Sequence, residues 1–224
     1  MIIGTPESGI VKDGLVYWLN PSNDNSYPNS GTRVYDLSGT YSYSENFNSP
    51  TFDENVFVYN GSNQYTQLPN LSLNFPFHIS YWGLERSSDT YGPSILFSNP
   101  TVNDKSAGIQ VVINNFSVIR IYNYDGSFNA ATTPAVTDTY YHICGNFTGS
   151  SFDLYINGEY KTSLSGPHSK VWTDTATSYN SCRLNRLSPI YYGGKMGDIQ
   201  IYDRVLTADE ILNNFEAIRG RYAI

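Results

Sequence analysis

Apolar and polar residues alternate along many short stretches of this chain. Between residues 152 and 156, Phe152, Leu154 and Ile156 occupy alternate positions, and more polar side chains occupy the positions between them. A period of two is typical of a strand in a sheet that has one face in water. Runs of this kind recur about a dozen times between clusters of Gly, Pro, Asn, Asp and Ser, which predicts an all-β fold built as an antiparallel β-sandwich.

The predicted strands are distributed between residues 14 and 202. They are residues 14–19, 56–59, 64–68, 77–84, 94–98, 108–113, 116–122, 140–147, 152–156, 160–164, 183–187 and 195–202. Asn157-Gly158 separates two alternating runs and predicts a tight hairpin, because a type I′ turn needs positive φ at both central positions. A second turn is predicted at Asn114-Asn115, and residues 20–55, the least regular part, are predicted as a long loop region.

The end of the chain changes to helical spacing. The apolar stripe at this spacing consists of Ile211, Leu212, Phe215 and Ile218. Thr207 and Glu210 have the spacing of a capping box, and Leu206 before the cap can pack on Ile211. These features predict one short C-terminal α-helix over about 207–219, with Gly220 as a left-handed stop. A helix of this length is marginal in water on its own, so its apolar stripe must dock on the sandwich.

The composition fits a single β domain. The chain has 224 residues, of which 40% are hydrophobic, 15% are aromatic and 15% are charged. A sandwich can reach about 200–250 residues as one unit, and aromatic and β-branched residues favour sheets. We expect an N-terminal arm over residues 1–13 and a single sandwich domain over residues 14–224.

Charge and hydropathy argue against two classes of partner. The formal net charge is −7, and the sequence has no cluster of Lys and Arg that would neutralise nucleic-acid phosphates. No apolar run approaches the ~20 residues that a membrane-spanning helix needs, and the N-terminal residues lack the pattern of a secretory signal. We expect no nucleic acid binding, no membrane span, and folding in a cytoplasm.

Little in the sequence points to catalysis. The motifs of zinc metalloproteases, serine hydrolases and nucleotide-binding proteins are absent. A glycoside hydrolase needs a pair of carboxylates, and no predicted strand carries the alternating acidic residues that would supply one. His78 and His142 fall in strand-like runs and are predicted to be structural, and Cys144 is predicted to be a buried free thiol. We therefore expect a protein that is not an enzyme.

Three aspartates are candidate calcium ligands. Asp36, Asp125 and Asp198 could supply carboxylate oxygens together with loop carbonyls. The alternative is that an aspartate before Ser or Gly in a turn, such as Asp36 or Asp125, accepts hydrogen bonds from local backbone N–H groups. The sequence predicts no other cofactor.

Aromatic residues in loops or at strand ends form the remaining candidate site. They are Tyr41, Tyr43, Tyr122, Tyr124, Trp172, Tyr191 and Tyr192. Flat rings beside Asn and Asp suit a protein interface, where Tyr and Trp are enriched. They equally suit a glycan, whose apolar ring face packs on an aromatic ring and whose hydroxyls bind polar groups. Packing in the core is the third interpretation.

Three segments resemble laminin-G-like, concanavalin A-like jelly-roll domains. They are GLVYWLNPSNDNSYPNSGTRVYDLSG near the start, FDLYINGEYK in the predicted hairpin, and GKMGDIQIYDRVLTADEILNNFEAIRGRY at the end. The chain departs from the family at Val34, where Trp is common, and at Asn29, where Gly is common. The resemblance implies two stacked antiparallel sheets, with the terminal helix covering one end or edge, and a role in binding glycans or proteins rather than in catalysis.

The opening segment and the TADEI…GRY ending are also similar to those of domains in structural proteins of tailed phages, especially marine and cyanobacterial phages. This similarity implies a virion structural protein, either a capsid decoration protein or a tail or fibre component, that folds in the host cytoplasm before assembly. Its partners would be other virion proteins and further copies of itself. The alternative function is an adhesin that recognises host surface polysaccharide. The N-terminal arm could pack Ile2, Ile3, Ile10 and Val11 on a neighbouring subunit or lead into the first strand.

Overall fold

Strands account for most of the regular structure. The computed structural model describes residues 9–53, 55–69, 71, 73, 75–87, 92, 94–98, 106–112, 118–124, 128–166, 181–184, 186–187, 190–191 and 193–224. Within them the strands are β1 (Leu15–Leu19), β2 (Arg33–Tyr35), β3 (Tyr43–Phe47), β4 (Thr51–Asp53), β5 (Val56–Asn60), β6 (Tyr65–Gln67), β7 (Phe77–Leu84), β8 (Ser94–Ser98), β9 (Ser106–Val112), β10 (Val118–Tyr124), β11 (Phe128–Pro134), β12 (Tyr141–Phe147), β13 (Ser151–Ile156), β14 (Glu159–Ser165), β15 (Ser181–Leu184), β16 (Arg186–Leu187), β17 (Ile190–Tyr191) and β18 (Gly193–Tyr202). An α-helix, α1 (Ala208–Ile218), follows, and then a short 3-10 helix over Arg219–Tyr222. Neither helix is long and apolar enough to cross a membrane, and the other described residues contain no helix that could do so.

Two antiparallel sheets form a β-sandwich. Sheet A has the strand order β14-β13-β12-β7-β18-β5-β4, and β1 also pairs with β18. Sheet B has the strand order β11-β10-β9-β8-β15-β6-β3-β2. β16 and β17 form a separate two-stranded hairpin. The prediction of an all-β antiparallel sandwich with one short C-terminal helix is confirmed.

The main core lies between the two sheets. Sheet A contributes alternate residues of β7, namely Phe77, Ile79 and Tyr81, and sheet B contributes Ile119 and Ile121 of β10. All five side chains are fully buried. The period of two along each strand therefore places one set of its side chains in the space between the sheets.

The hairpin predicted at Asn157-Gly158 is confirmed. It joins β13 to β14, and Asn157 (φ 52°) and Gly158 (φ 81°) both have the positive φ that the predicted turn requires. β9 and β10 also pair as antiparallel neighbours. The turn predicted between them at Asn114-Asn115 lies outside the described residues.

The prediction of a long loop over residues 20–55 is wrong, because this segment contains β2, β3 and β4. β2 pairs with β3 and β3 pairs with β6, so these strands form one edge of sheet B. The three strands are three to five residues long and carry polar residues at many positions. Short, polar runs of this kind are typical of edge strands and show no clear apolar alternation. β11, with the sequence FNAATTP, escapes prediction for the same reason.

The capping box predicted at the start of α1 is confirmed. Glu210 N donates a hydrogen bond to Thr207 Oγ1 (3.2 Å), and Thr207 N donates one to Glu210 Oε2 (2.9 Å). Leu206 and Ile211 are buried in one cluster, as the predicted contact between them requires. Arg204 forms a hydrogen-bonded ion pair with Glu210 (2.7 Å), which lowers the pKa of that carboxyl group to about 2.

The prediction that the helix ends at a left-handed Gly220 is wrong. Arg219 at the C-cap keeps right-handed backbone angles (φ −55°), the chain continues as a 3-10 turn, and Ala223 (φ 56°) is the left-handed residue. Tyr222 explains the difference, since its ring stacks on Trp82 with centroids 4.2 Å apart and planes inclined by 8°. This contact holds the last turn on sheet A, so the chain stays helical beyond Gly220.

α1 and the last turn cover the outer face of sheet A. Trp82 of β7 stacks there on Phe215 (5.7 Å) as well as on Tyr222. A second cluster packs Ile211 of α1 on Cys144 of β12. As a result, all eight residues of β7 are buried, although only alternate ones face the core between the sheets. The expectation that the helix covers an end or an edge of the sandwich is therefore wrong, because it covers a face.

The described part of the N-terminal arm runs beside α1. Val11 N donates a hydrogen bond to Asn214 Oδ1 (2.9 Å), and Asn213 Nδ2 donates one to Gly9 O (2.5 Å). Ile10 is buried in the cluster that contains the aromatic residues of the helical cover. Ile10 therefore packs within its own chain rather than on a neighbouring subunit.

Candidate functional site

The predicted aromatic residues do not form one site. Tyr41 is half-buried and packs against the core between the sheets. Tyr122 is only 3% exposed, which agrees with the third interpretation, packing, and excludes its ring from an exposed binding surface. Tyr43 lies on β3 and is partly exposed. The side chains of the other four lie outside the described residues; these are Tyr124, Trp172, Tyr191 and Tyr192.

Tyr43 belongs to a group of aromatic side chains on the outer surface of sheet B. We call this group the aromatic face; it consists of Tyr35, Tyr43, Phe47 and Tyr65. In the register of the sheet, Tyr35 lies opposite Tyr43 and Phe47 lies opposite Tyr65, which places all four on one side. Tyr35 and Phe47 are 42% and 36% exposed. Sequence patterns miss Tyr35, Phe47 and Tyr65 as site residues, because two of the three strands involved are not predicted.

The aromatic face is held by the residues that point the other way. Val34 and Ser44 occupy intervening positions of β2 and β3 and are buried on the inner side of sheet B. The Tyr17 hydroxyl of sheet A is hydrogen-bonded to Ser44 Oγ (2.5 Å), and the Tyr59 hydroxyl is hydrogen-bonded to Thr66 Oγ1 (2.6 Å). These bonds between the two sheets fix the edge of sheet B, so the aromatic face lies on a rigid support.

Phe47 and Tyr65 stack face to face. Their ring centroids are 4.7 Å apart, and their planes are inclined by only 3°. Stacked aromatic pairs across neighbouring strands stabilise each other and keep their orientation. Tyr35 and Tyr43 instead meet edge to face, with centroids 6.5 Å apart and planes inclined by 65°. The aromatic face therefore has two ends: the flat end, where the two ring planes are parallel, and the angular end, where the rings meet edge to face.

A cation lies over the angular end. The Arg33 guanidinium carbon is 4.5 Å from the centre of the Tyr43 ring, within the range of a cation–π contact. Glu45 lies opposite Arg33 in the register of β2 and β3, and its carboxylate accepts a hydrogen bond from the Thr32 hydroxyl (3.4 Å). Among the residues that the structure describes, no carboxylate forms an ion pair with Arg33. Arg33 is exposed to solvent.

Amide side chains border the flat end. Gln64 Nε2 donates hydrogen bonds to the carbonyl oxygens of Asn48 (3.0 Å) and Ser49 (2.8 Å). Asn48 Nδ2 donates one to the carbonyl oxygen of Asn63 (2.7 Å). These bonds join the turn after β3 to the turn before β6, so the two strands that carry the stacked pair keep a fixed relation.

Asp36, a candidate calcium ligand, caps a turn. Its Oδ1 accepts hydrogen bonds from Trp18 N (2.8 Å) and Ser38 N (2.9 Å). Its Oδ2 accepts hydrogen bonds from the Ser38 hydroxyl (2.7 Å) and Tyr41 N (2.9 Å). Both oxygens are therefore engaged by donors of the chain, which agrees with the alternative that this aspartate satisfies local N–H groups.

Asp198, a second candidate calcium ligand, is buried beneath the last turn of the chain. One carboxylate oxygen accepts a hydrogen bond from Trp18 Nε1 (3.0 Å), and the other accepts one from Arg221 Nη1 (3.0 Å). An arginine of the same chain thus balances its charge. Asp125 lies outside the described residues. Within the described part of the chain, no three His, Cys, Asp or Glu side chains are grouped to hold a metal ion, and calcium binding stays a prediction.

The histidines and the cysteine that are predicted to be structural lie under the helical cover. His78 Nδ1 lies 2.7 Å from Asn146 Oδ1. Burial lowers the pKa of His78 to about 4 and the pKa of His142 to about 3. Cys144 is a buried free thiol, as predicted, and burial raises its pKa well above the usual value. These groups are neutral at pH 7 and closed to solvent, as structural side chains are.

The sequence matches a family model over more than half of its length. Residues 60–212 match the model described as the concanavalin A-like lectin/glucanases superfamily. This segment runs from the end of β5 into α1 and includes most strands of both sheets. No curated protein matches the chain by sequence.

Solved structures share the fold at low sequence identity. Domain 4 of an extracellular arabinanase from Geobacillus stearothermophilus, in complex with arabinotriose, has a TM-score of 0.69 at 16% identity, over 89% of this chain and 97% of that one. Trypanosoma rangeli sialidase in complex with sialic acid has a TM-score of 0.65 at 14% identity, over 94% of this chain and 34% of the sialidase. The binding domain of botulinum neurotoxin DC in complex with rat synaptotagmin II has a TM-score of 0.68 at 12% identity, over 92% of this chain and 52% of that one. The chain spans only part of the last two proteins, and similarity at these identities shows the fold alone.

Proposed function

Because this chain belongs to the concanavalin A-like lectin/glucanases superfamily, we propose that it is a non-enzymatic binding protein whose aromatic face holds a glycan. The parallel stack of Phe47 on Tyr65, with centroids 4.7 Å apart, carries the proposal. The apolar face of a sugar ring packs on an exposed aromatic ring, Phe47 is 36% exposed, and a stacked pair that the sheet already holds needs no rearrangement to receive the sugar. The arabinanase domain and the sialidase that share the fold are in complex with arabinotriose and sialic acid.

Polar groups beside the rings suit the hydroxyls of a sugar. A hydroxyl both donates and accepts hydrogen bonds, so a sugar needs both kinds of partner at the site. Arg33 supplies N–H donors and Glu45 supplies carboxylate acceptors, and the two residues lie opposite each other between the two ends of the aromatic face. A few polar groups that converge on an apolar surface are the usual composition of a ligand site.

The aromatic face supports binding without hydrolysis. Glycoside hydrolases usually place two carboxylates on either side of the bond that they cleave. On the described strands of this face, β2, β3 and β6, the only acidic residue is Glu45. A sugar held there meets aromatic rings and hydrogen-bonding groups, and no acid–base pair among the residues of these three strands.

The second function that we propose is a structural role in a phage virion, as a capsid decoration protein or a tail or fibre component. The resemblance of the first and last segments to phage structural proteins supports it, and so do exposed apolar side chains on the side of sheet A. Tyr160 of β14 is 55% exposed, and Leu212 of α1 is 44% exposed. Exposed Tyr and Leu side chains suit contacts with other virion proteins or with a second copy of this chain.

A glycan array with the purified protein tests the first function. We expect saturable binding that Phe47→Ala or Tyr65→Ala weakens by about tenfold or more, the usual effect of removing an aromatic anchor from a binding site. Tyr160→Ala is the matched control, because it removes an exposed tyrosine from sheet A instead of sheet B. Repeating the array with calcium and with a chelator tests whether a metal ion contributes.

The same variants separate the two functions. Glycan binding that is unaffected by Phe47→Ala and Tyr65→Ala would place the ligand elsewhere and contradict the proposal for the aromatic face. Absence of binding to every glycan, together with stable assembly on capsid or tail proteins that Leu212→Asp abolishes, would favour the structural role. Circular dichroism in the near ultraviolet shows whether each variant keeps its fold.

A further inference from the structure

We propose that the cleft beside Tyr35 is a subsite for a carboxylate-bearing sugar, at one end of an oligosaccharide of at least three sugars that lies along β3. The inference rests on the glycan-binding function proposed above. Three features carry it: the shape of the cleft, an arginine that has no carboxylate partner among the described residues, and the spacing of the rings on β3.

The cleft lies between β2 and the loop that precedes it, and its volume is about 220 Å³. It is lined by Pro28, Ser30, Gly31, Thr32, Arg33 and Tyr35. The loop is anchored by Tyr27, whose ring is buried against Phe57 (4.9 Å) and whose hydroxyl donates a hydrogen bond to the carbonyl oxygen of Gly31 (3.4 Å). The cleft is therefore preformed, and its volume suits one sugar unit.

Arg33 places a positive charge on the wall of this cleft. Its contact with the Tyr43 ring, at 4.5 Å, holds the guanidinium over the aromatic face. A guanidinium is a planar fork of N–H donors, and it binds a carboxylate through two parallel hydrogen bonds. The whole chain has a net charge of −7, which disfavours long-range attraction of anions, so the proposal assigns the selection of an acidic ligand to this local group.

Glu45 and Arg33 should affect the affinity for an acidic ligand in opposite directions. It lies opposite Arg33 in the register of β2 and β3, so its negative charge disfavours an anion bound beside it. Removing the charge of Glu45 should therefore strengthen the binding of an acidic ligand, whereas removing the charge of Arg33 should weaken it. Damage to the fold would weaken binding in both variants, so the opposite signs identify an electrostatic effect.

The spacing of rings on β3 sets the length of the ligand. Tyr43 and Phe47 are four residues apart on one side of the strand, which corresponds to about 13 Å. Two linked sugar rings are shorter than this distance, so a ligand that touches both ends of the aromatic face needs at least three sugars. The acidic sugar belongs at the Tyr43 end, because the guanidinium lies over that ring.

Titration calorimetry with three matched tetrasaccharides tests the inference: one built of uronic acids, one neutral and one neutral but sulfated. We expect the uronic acid ligand to bind about tenfold tighter than the neutral one, the usual effect of a charge-assisted hydrogen bond. Arg33→Gln should abolish this preference, and Glu45→Gln should increase it. The uronic acid disaccharide should bind at least about tenfold more weakly than the tetrasaccharide, because it reaches only one end of the face.

Each other outcome has a definite meaning. Equal affinities for the acidic and neutral tetrasaccharides, unchanged by Arg33→Gln, would overturn the acidic subsite and leave glycan binding intact. Preference for the sulfated ligand over the uronic acid ligand would overturn the assignment of a carboxylate. Equal affinities for the disaccharide and the tetrasaccharide would overturn the length. Failure of the folded protein to bind any of them would count against the glycan-binding function itself.

Discussion

Replacing Gly197 with alanine should displace Tyr222 and loosen the cover over sheet A. Gly197 lies on β18, directly beneath the last turn of the chain. A Cβ atom at this position would overlap the Tyr222 hydroxyl and lie 2.7 Å from the ring atoms Cε1 and Cζ. Side chains do not approach this closely, so either the tyrosine ring or the strand must move.

The tyrosine ring cannot move without losing the contacts that hold it. It stacks on Trp82 at 4.2 Å, and its hydroxyl accepts a hydrogen bond from Asp198 N (2.9 Å). Overpacking of a core costs about 1–3 kcal/mol, and loss of a hydrogen bond costs about 1 kcal/mol. We therefore expect Gly197→Ala to lower the free energy of unfolding by about 3 kcal/mol.

A double-mutant cycle with Tyr222→Ala isolates this effect. Removing a buried aromatic side chain alone should cost about 3–5 kcal/mol. In that background Gly197→Ala should cost close to zero, because the side chain that its Cβ would overlap is gone, so the two changes should be coupled by about 3 kcal/mol. Urea denaturation measures the free energies, and near-ultraviolet circular dichroism reports the packing of Trp82.

Equal costs of Gly197→Ala in the two backgrounds would refute this reasoning, because they would show that the added methyl group clashes with something other than Tyr222. Unchanged stability of Gly197→Ala would refute it as well, because the ring would then have room to move without loss of its contacts.

Three further measurements test other parts of the fold. Burial holds the pKa of His78 near 4 and that of His142 near 3, against 6.5 for an exposed histidine. At pH values between the folded-state pKa and 6.5, the unfolded chain therefore binds more protons than the folded chain. Urea denaturation at several pH values should therefore show stability falling as pH falls from 6.5 towards 4, by up to about 2.7 kcal/mol per pH unit, and His78→Gln should halve this slope. Thr207→Ala should cost about 1 kcal/mol in the same assay, while Thr207→Ser should retain the cap. Gly158→Ala should lower the melting temperature, because φ is 81° there and its Cβ would lie 2.8 Å from Leu212 Cδ1; Leu212→Ala should restore only the part due to the clash. A flat pH profile, or wild-type stability of either alanine variant, would contradict the corresponding prediction.

Features whose partners are close in sequence could be predicted from the sequence. The Asn157-Gly158 turn depends on two residues that tolerate positive φ, and the cap of α1 depends on Thr207 and Glu210, three positions apart. In both cases the residue type itself supplies the backbone angle or the hydrogen bond. The tertiary contacts are compatible with these local preferences and do not change them.

Features decided by distant contacts could not be predicted in this way. Glycine is the residue that most often ends a helix, but the chain continues past Gly220 as a 3-10 turn, in which Tyr222 stacks on Trp82. Tyr122 lies at the end of a predicted strand, where a ring can be exposed, but it is buried in the folded chain. A local pattern does not show which strand becomes a neighbour in the sheet.

Only part of the aromatic face could be predicted from the sequence. Tyr43 is a candidate from the sequence because it lies in a predicted loop region, among aromatic residues beside Asn and Asp. Its relation to Phe47 needs the assignment of β3 as a strand, and the stack of Phe47 on Tyr65 needs the pairing of β3 with β6. Short polar edge strands leave no apolar alternation from which either step could be read.

The position of α1 explains why the candidate site lies on sheet B. Both faces of β7 are buried, so the centre of sheet A cannot take a ligand unless α1 leaves it. On sheet B the described edge strands leave Tyr35 and Phe47 open to solvent on a support that is tied to sheet A. The helix thus determines which sheet is available for binding, although its cover and the aromatic face lie on opposite sides of the sandwich. Gly197→Ala should therefore reduce stability far more than it reduces glycan affinity, whereas Phe47→Ala should do the reverse.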